Sequence, residues 1–121
     1  MITGLNHANI STAKLKETVA FFTDVLGLRI GPRPHFVGFD GAWLYVGDQA
    51  VLHLVERAEA RTPDGALVHF SFTVTDFDAA LALLDAAGVK YVAQDIPSGF
   101  GRQAFVQDPN GVTVELTWLA A

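Results

Sequence analysis

The feature that most constrains the fold is an internal repeat. A strand, a helix and three short strands occur in this order twice along the chain. Three landmarks recur at nearly constant spacing, a helix-ending glycine after 61 residues and two pairs of polar residues after 62. They are Gly27 and Gly88, His7 and His69, and His53 and Glu115. Because these landmarks are independent, their agreement indicates a duplicated β-α-β-β-β unit.

Each predicted helix has apolar residues at helical spacing and a glycine at its end. The first passes through Leu15, Val19, Phe22 and Leu26 to Gly27, and the second through Phe77, Leu81, Leu84 and Ala87 to Gly88. We expect Asp76 to cap the start of the second helix, and Ser11 or Thr12 to open the first.

Short runs typical of strands surround both helices. In the first unit they lie at 4–10, 28–30, 41–46 and 50–56, and in the second at 67–74, 90–94, 102–107 and 112–118. We therefore predict an α+β fold, with two tandem βαβββ modules in a single domain that spans 1–121. Module 1 should occupy about 1–60 and module 2 about 65–121.

Composition excludes several classes of function. The net charge of −5 and the absence of a basic cluster argue against a nucleic-acid partner. The chain has no cysteine, so any metal must be held by histidine and carboxylate side chains. No apolar run approaches the ~18 residues that suggest a membrane span, and the first residues do not resemble a secretory signal. We expect a soluble cytoplasmic protein with no membrane partner.

Four titratable residues alternate with apolar neighbours in the predicted strands. In the strand at 67–74 the apolar face comprises Val68, Phe70, Phe72 and Val74. Because strand side chains alternate between faces, the titratable residue of each strand should lie in mid-strand and point away from the helices. These residues are His7, His53, His69 and Glu115. Three imidazoles and a carboxylate suit a divalent transition metal.

The remaining candidates concern substrate binding. His35 falls outside the repeat, and we expect it in a loop at the rim of the cavity. Arg33, Arg57 and Arg102 are candidates for contact with an anionic substrate. Arg102 ends the glycine-containing stretch 98–102, which we predict to be a mobile loop rather than a phosphate-binding turn.

Several short motifs together resemble the vicinal oxygen chelate superfamily, which includes glyoxalase I, extradiol dioxygenases and bleomycin-binding proteins. They are LNH at 5–7, FFTDVLGL at 21–28, GAWLYVG at 41–47, HLVE at 53–56, HFSF at 69–72 and DPNG at 108–111 followed by Glu115 and Leu116. Each motif is weak alone, but their order and spacing cover essentially the whole chain.

The resemblance implies curled mixed sheets that enclose a metal cavity, with ligands on the first and last strands of each module. Those positions hold His7, His53, His69 and Glu115. It also implies one divalent metal ion per chain (zinc, nickel, iron or manganese), a small-molecule substrate, and a homodimer with sites shared between chains. The resemblance also implies that glyoxalase I has a glutamate at the position where this chain has His53. The ligand set of this chain therefore disfavours the glutathione-hemithioacetal reaction of that enzyme.

Three functions fit these expectations. The favoured one is a lyase or isomerase, in which the substrate chelates the metal through two oxygens and Glu115 acts as general base. Four protein ligands on an octahedral ion leave the two positions that such a chelate needs. The second is an extradiol dioxygenase that uses His7, His69 and Glu115 as a facial triad. The third is a metal-free protein that binds a small molecule.

Overall fold

The computed structural model describes residues 1, 4–59 and 67–120, which form two compact units. The units are Met1–Thr62 and Pro63–Ala121, here called module 1 and module 2. The module boundary that the sequence predicts, near 60–65, lies outside the described residues. Among the described residues, each module forms one open, mixed four-stranded sheet and a helical segment. The predicted α+β fold of two tandem modules is confirmed.

Module 1 follows the predicted order of elements. They are β1 (Ala8–Thr12), α1 (Leu15–Ala20), a π-helical segment that continues α1 (Phe21–Val25), β2 (Arg29–Gly31), β3 (Gly41–Val46) and β4 (Gln49–Glu56). The strands lie in the order β1-β4-β3-β2, with β1 parallel to β4 and the other neighbours antiparallel. β4 is therefore flanked on one side by β1 and on the other by β3.

Module 2 repeats this arrangement. Its elements are β5 (Phe70–Thr73), α2 (Phe77–Ala86), β6 (Tyr91–Ile96), a short 3₁₀ turn (Pro97–Gly99), β7 (Gly101–Gln107) and β8 (Thr113–Leu119). The strand order is β5-β8-β7-β6, and β5 is parallel to β8. The backbone N–H of Ala79 donates to the Asp76 carboxylate over 3.0 Å, so Asp76 caps α2 as predicted.

The strand register repeats as closely as the order of the elements. The cross-strand neighbours of the candidate ligands are Asn9 and Trp43 opposite His53, and Ser71 and Phe105 opposite Glu115. Each of these residues in module 2 follows its counterpart in module 1 by 62 positions. The two sheets therefore place equivalent residues on either side of His53 and of Glu115.

The π-helical segment explains why one landmark recurs after 61 residues instead of 62. Phe22 and Leu84 are fully buried apolar residues of the two helical segments and are 62 positions apart. Gly27 and Gly88 end the two helices with φ of +79° and +68°, and are 61 positions apart. Module 1 thus has one extra residue between these points, and the wider π-helical turn accommodates it.

In each module the core lies between the helix and one face of the sheet. In module 1 the buried apolar residues of the sheet are Ile10, Leu44, Leu52 and Leu54, and in module 2 they are Ala104, Val106, Val114 and Leu116. Burial of each large aliphatic side chain contributes about 1.5–3 kcal/mol. The opposite face of each sheet carries the residues that alternate with these, among them His53 in module 1 and Glu115 in module 2. No helix in the described ranges is long and apolar enough to cross a membrane.

The first strand of each module begins later than the sequence predicts. Pairing of β1 with β4 and of β5 with β8 starts one residue after the histidine, so His7 and His69 precede their strands instead of lying within them. The sequence predicts that Val68 packs against the helix, but its side chain is 75% exposed, so this prediction is wrong. The first helix also begins later, at Leu15, because Thr12 is still part of β1. The alternation of polar and apolar residues predicted which face of the sheet each residue occupies, but not where the pairing between strands begins.

Candidate metal centre

In module 1 the two candidate histidines lie against each other. The rings of His7 and His53 stack with centroids 3.7 Å apart and an angle of 12° between their planes. His53 is in β4, between Leu52 and Leu54, which are fully buried on the helix side. Since alternate residues face opposite sides, the His53 ring lies on the side away from the helix.

Asn6 fixes which nitrogen of His7 is free. The Nδ1–H group of His7 donates to Oδ1 of Asn6 over 2.8 Å. In the neutral imidazole this leaves the lone pair on Nε2. A histidine that binds a metal usually donates its other ring N–H in this way, so His7 has the tautomer that a metal ligand requires.

A tryptophan covers the second face of the His53 ring. Trp43 lies opposite His53 on β3, and the two rings stack at 3.9 Å with an angle of 8°. Desolvation by this burial, followed by the charge of His7, lowers the pKa of His53 below its ordinary value, while a hydrogen bond with the backbone of Ala50 opposes the shift. The lowered pKa favours the neutral form of His53, which is the form that can bind a metal.

In module 2 the equivalent pair combines an imidazole and a carboxylate. Nε2 of His69 lies 2.9 Å from Oε2 of Glu115, whose side chain is only 12% exposed. The other carboxylate oxygen, Oε1, accepts a hydrogen bond of 2.9 Å from the hydroxyl of Thr117. The Phe105 ring meets the His69 ring edge-on at 5.5 Å. Both oxygens of this largely buried carboxylate therefore have polar partners.

The donor chemistry of both pairs fits a divalent transition metal. Imidazole nitrogen and carboxylate oxygen suit zinc, nickel, iron and manganese, which these ligand types alone do not distinguish. Each pair lies within one module, and no group of three or more His, Asp or Glu side chains converges in the described part of the chain. Each module thus supplies two of the four predicted ligands.

A hollow of about 360 Å³ opens beside His53, within the size range of small-molecule sites. Its walls are Leu5, Asn6, Trp43, Tyr45, Asp48, Gln49, Ala50 and His53. A larger hollow of about 560 Å³ lies along β6 and β7 of module 2, but none of the described residues that line it is a histidine or a carboxylate. We therefore associate the candidate site of module 1 with the smaller hollow.

The predicted substrate-binding residues of module 1 lie near aromatic rings. The Arg33 guanidinium lies 4.8 Å from the Phe36 ring and 5.6 Å from the Phe39 ring, and Arg57 is 5.5 Å from the Phe39 ring. Nε and Nη2 of Arg33 are buried and have no hydrogen-bond partner in the described ranges. His35 is exposed in the connection between β2 and β3.

Arg102 lies on the other face of its sheet from Glu115. It is opposite Trp118 on β8, and its guanidinium is 4.4 Å from the Phe77 ring of α2. It forms ion pairs with Asp78 at 3.0 Å and Asp95 at 3.6 Å. Because these contacts engage it beside the helix, we leave Arg102 out of the candidate site.

Sequence reasoning did not identify the residues that hold the ligands in place. Alternation placed Ser71 and Thr117 on the same face as His69 and Glu115, but it could not show their hydrogen bonds. The stacking of Trp43 on His53 depends on the register of β3 and β4. The sequence did contain a signal for these contacts, because a hydroxyl residue lies two positions after each ligand of module 2, Ser71 after His69 and Thr117 after Glu115.

Comparison with known proteins identifies the class to which this fold and these residues belong. A model of the Glyoxalase/Bleomycin resistance protein/Dioxygenase superfamily matches residues 4–116. The chain therefore belongs to this superfamily.

Relatives within the superfamily are similar along nearly the whole chain. The chain is 28% identical to Glyoxylase I 4 of Arabidopsis thaliana, over 95% of this chain and 70% of that protein. It is 30% identical to glutathione transferase FosA of Serratia marcescens, over 96% and 81%. The structure of a glyoxalase/dioxygenase from Nostoc punctiforme has a TM-score of 0.83 at 18% identity, over 98% of this chain and 92% of that chain, and so shares the fold.

Proposed function

We propose that the chain is a glyoxalase-like, divalent-metal-dependent lyase or isomerase whose small substrate chelates the metal through two oxygens. The observation that carries this proposal is the placement of two ligand pairs at equivalent positions of a duplicated sheet. One pair is His7 with His53, and the other is His69 with Glu115. We further propose a homodimer in which each metal site combines both chains.

These four residues would hold one metal ion per chain. When bound, the metal would supply Lewis-acid polarisation of a substrate carbonyl. His7 and His53 would contribute neutral imidazole nitrogens, a role supported by the Asn6 hydrogen bond and by the lowered pKa of His53. The cavity beside Trp43 and Tyr45 would hold the substrate.

Glu115 is the proposed general base. Its carboxylate is largely shielded from solvent, and its two oxygens face different partners, His69 and Thr117. A carboxylate fixed in this way can accept a proton from the carbon next to a substrate carbonyl. The same residue would therefore serve as a metal ligand and as the group that moves the proton.

A second candidate is a thiol transferase. It is favoured by the 30% identity over 96% of this chain to a protein named glutathione transferase. The same ligand pairs would hold the metal, and the thiol of glutathione would add to the substrate, its sulfur forming the new bond and its proton passing to another atom of the substrate.

The lyase or isomerase proposal is tested by incubating the metal-loaded enzyme with small hydroxy-ketones in deuterated water. We expect deuterium at the carbon next to the carbonyl, detected by NMR, and a loss of about 10²–10⁴-fold in the exchange rate for Glu115→Gln. The control Glu17→Gln changes an exposed carboxylate on α1 and should keep the full rate.

Other reaction products would favour one of the alternative functions. A glutathione adduct would support the transferase, and ring cleavage of a catechol by the iron-loaded protein would support the dioxygenase. If no divalent metal binds at any loading, the proposed function is wrong and the metal-free binding protein is favoured.

A further inference from the structure

A short chain of hydroxyl groups leads to the Glu115 carboxylate in module 2. Oγ of Ser71 on β5 lies 2.6 Å from Oγ1 of Thr117 on β8. Oγ1 of Thr117 lies 2.9 Å from Oε1 of Glu115, two residues earlier on the same strand. The three side chains share one face of the sheet, because Ser71 is paired with Glu115 and residues two apart face the same side.

The direction of these hydrogen bonds follows from the number of protons available. An ionised carboxylate can only accept, so the single O–H of Thr117 donates to Glu115. The Thr117 oxygen must then accept the hydrogen bond from Ser71. The chain therefore runs from Ser71 through Thr117 to Glu115, and Ser71 fixes the rotation of the Thr117 hydroxyl.

This arrangement gives the two carboxylate oxygens different environments. Oε1 is anchored by Thr117, whereas Oε2 lies 2.9 Å from Nε2 of His69. The terminal torsion of a glutamate side chain is broad when nothing holds it. With Oε1 anchored, Oε2 stays beside Nε2 of His69.

Module 1 provides an internal comparison. The positions equivalent to Ser71 and Thr117, 62 residues earlier, hold Asn9 and Val55. Valine has no hydroxyl, and the ligand beside it is His53, whose ring is held by stacking instead. The hydroxyl pair thus accompanies the carboxylate ligand and is absent at the equivalent positions beside the imidazole ligand.

We propose that Thr117 is a positioning residue that orients the Glu115 carboxylate toward the metal, and that Ser71 supports Thr117 in this role. The inference rests on the proposed function, in which Glu115 is a metal ligand. Thr117 acts on metal affinity through Glu115 and contacts neither metal nor substrate.

The test compares three substitutions in the full-length, metal-free protein titrated with Mn²⁺ and with Co²⁺ by calorimetry. Thr117→Val removes the hydroxyl at nearly constant shape and should weaken metal binding about 10–100-fold, as is typical for partners that orient a ligand. Thr117→Ser keeps the hydroxyl and should restore affinity to within about twofold of the natural protein. Thr113→Val makes the same change two residues on the other side of Glu115, where the described structure has no hydrogen bond to the carboxylate, and should leave affinity unchanged.

A second readout detects the hydrogen bond without any metal. The ¹³C NMR signal of the Glu115 carboxyl carbon, recorded on the metal-free protein at neutral pH, should move in Thr117→Val and stay in place in Thr113→Val. If Glu115→Ala weakens metal binding but Thr117→Val does not, the positioning role is wrong and the metal site stands. If the natural protein binds neither metal while the NMR signal moves as expected, Thr117 orients the carboxylate but the proposed function is wrong.

Discussion

At the scale of single residues, the candidate site depends on how each side chain is held. His53 lies between the rings of His7 and Trp43, and Glu115 lies between His69 and Thr117. Neighbouring side chains thus hold the proposed ligands in place, and burial of the His53 ring also lowers its pKa.

The lowered pKa of His53 makes a prediction about stability and pH. The folded protein binds this proton less readily than the unfolded chain, in which the pKa is near the ordinary 6.5. The free energy of unfolding should therefore fall as pH drops below about 6.5 toward the lower pKa of the folded protein. Chemical denaturation of metal-free protein between pH 7.5 and 5 should show a smaller fall for His53→Phe, which cannot titrate. An equal fall in both proteins would contradict the burial of His53.

Alternation in the sequence predicted the faces of the ligands, but not the contacts between them. The placement of His53 and Glu115 follows from a period of two, which is local information. The stacking of Trp43 depends on register, and the Thr117 hydrogen bond depends on side-chain rotation. These features arise only when separate strands pair, so the sequence alone could not predict them.

At the scale of elements, the repeat predicted the order of strands and helices. The predicted bounds of β3 agree with the structure at both ends, because Gly41 begins the strand and a turn at Gly47 and Asp48 follows it. The predicted start of β1 was four residues early, since His7 lies next to apolar residues that resemble a strand. The π-helical segment was not predicted, although the glycine spacing of 61 instead of 62 already reflected the extra residue.

The extra residue leads to a prediction about deletions. Deleting Asp24, which is exposed in the π-helical segment, should convert that turn to the α-helical spacing of module 2 with little loss of stability. Deleting Ala86, which is exposed near the end of α2, removes a residue from a helix that has none to spare and should lower the melting temperature more. Thermal unfolding of both variants measures the difference. An equal or larger loss for the Asp24 deletion would show that the π-helical turn is needed for the fold.

At the scale of the whole molecule, the four proposed ligands are divided between two modules. Among the described residues neither module holds more than one pair, so a four-ligand site would need one pair from each. Two-fold dimers are the commonest oligomers, and a shared site gives such a dimer two equivalent metal positions. A homodimer with sites between chains is one arrangement that brings the two pairs together, and it is the arrangement that we propose.

A mixing experiment tests the shared site. His7→Ala and Glu115→Ala chains, each defective alone, are exchanged into heterodimers that mass spectrometry confirms. In a shared site one metal position inherits both changes and the other inherits neither, so one full-affinity site per heterodimer should return. If the four ligands come from one chain, every site keeps one change and no affinity returns.

The central claim, that both pairs bind one metal ion, is tested most directly by metal stoichiometry. The protein is stripped of metal, titrated with Mn²⁺ and analysed by inductively coupled plasma mass spectrometry. It should bind one ion per chain. His7→Ala and Glu115→Ala should each weaken that single site, whereas His35→Ala, which lies outside both pairs, should not. Two ions per chain, or undiminished stoichiometric binding by Glu115→Ala, would contradict the four-ligand site.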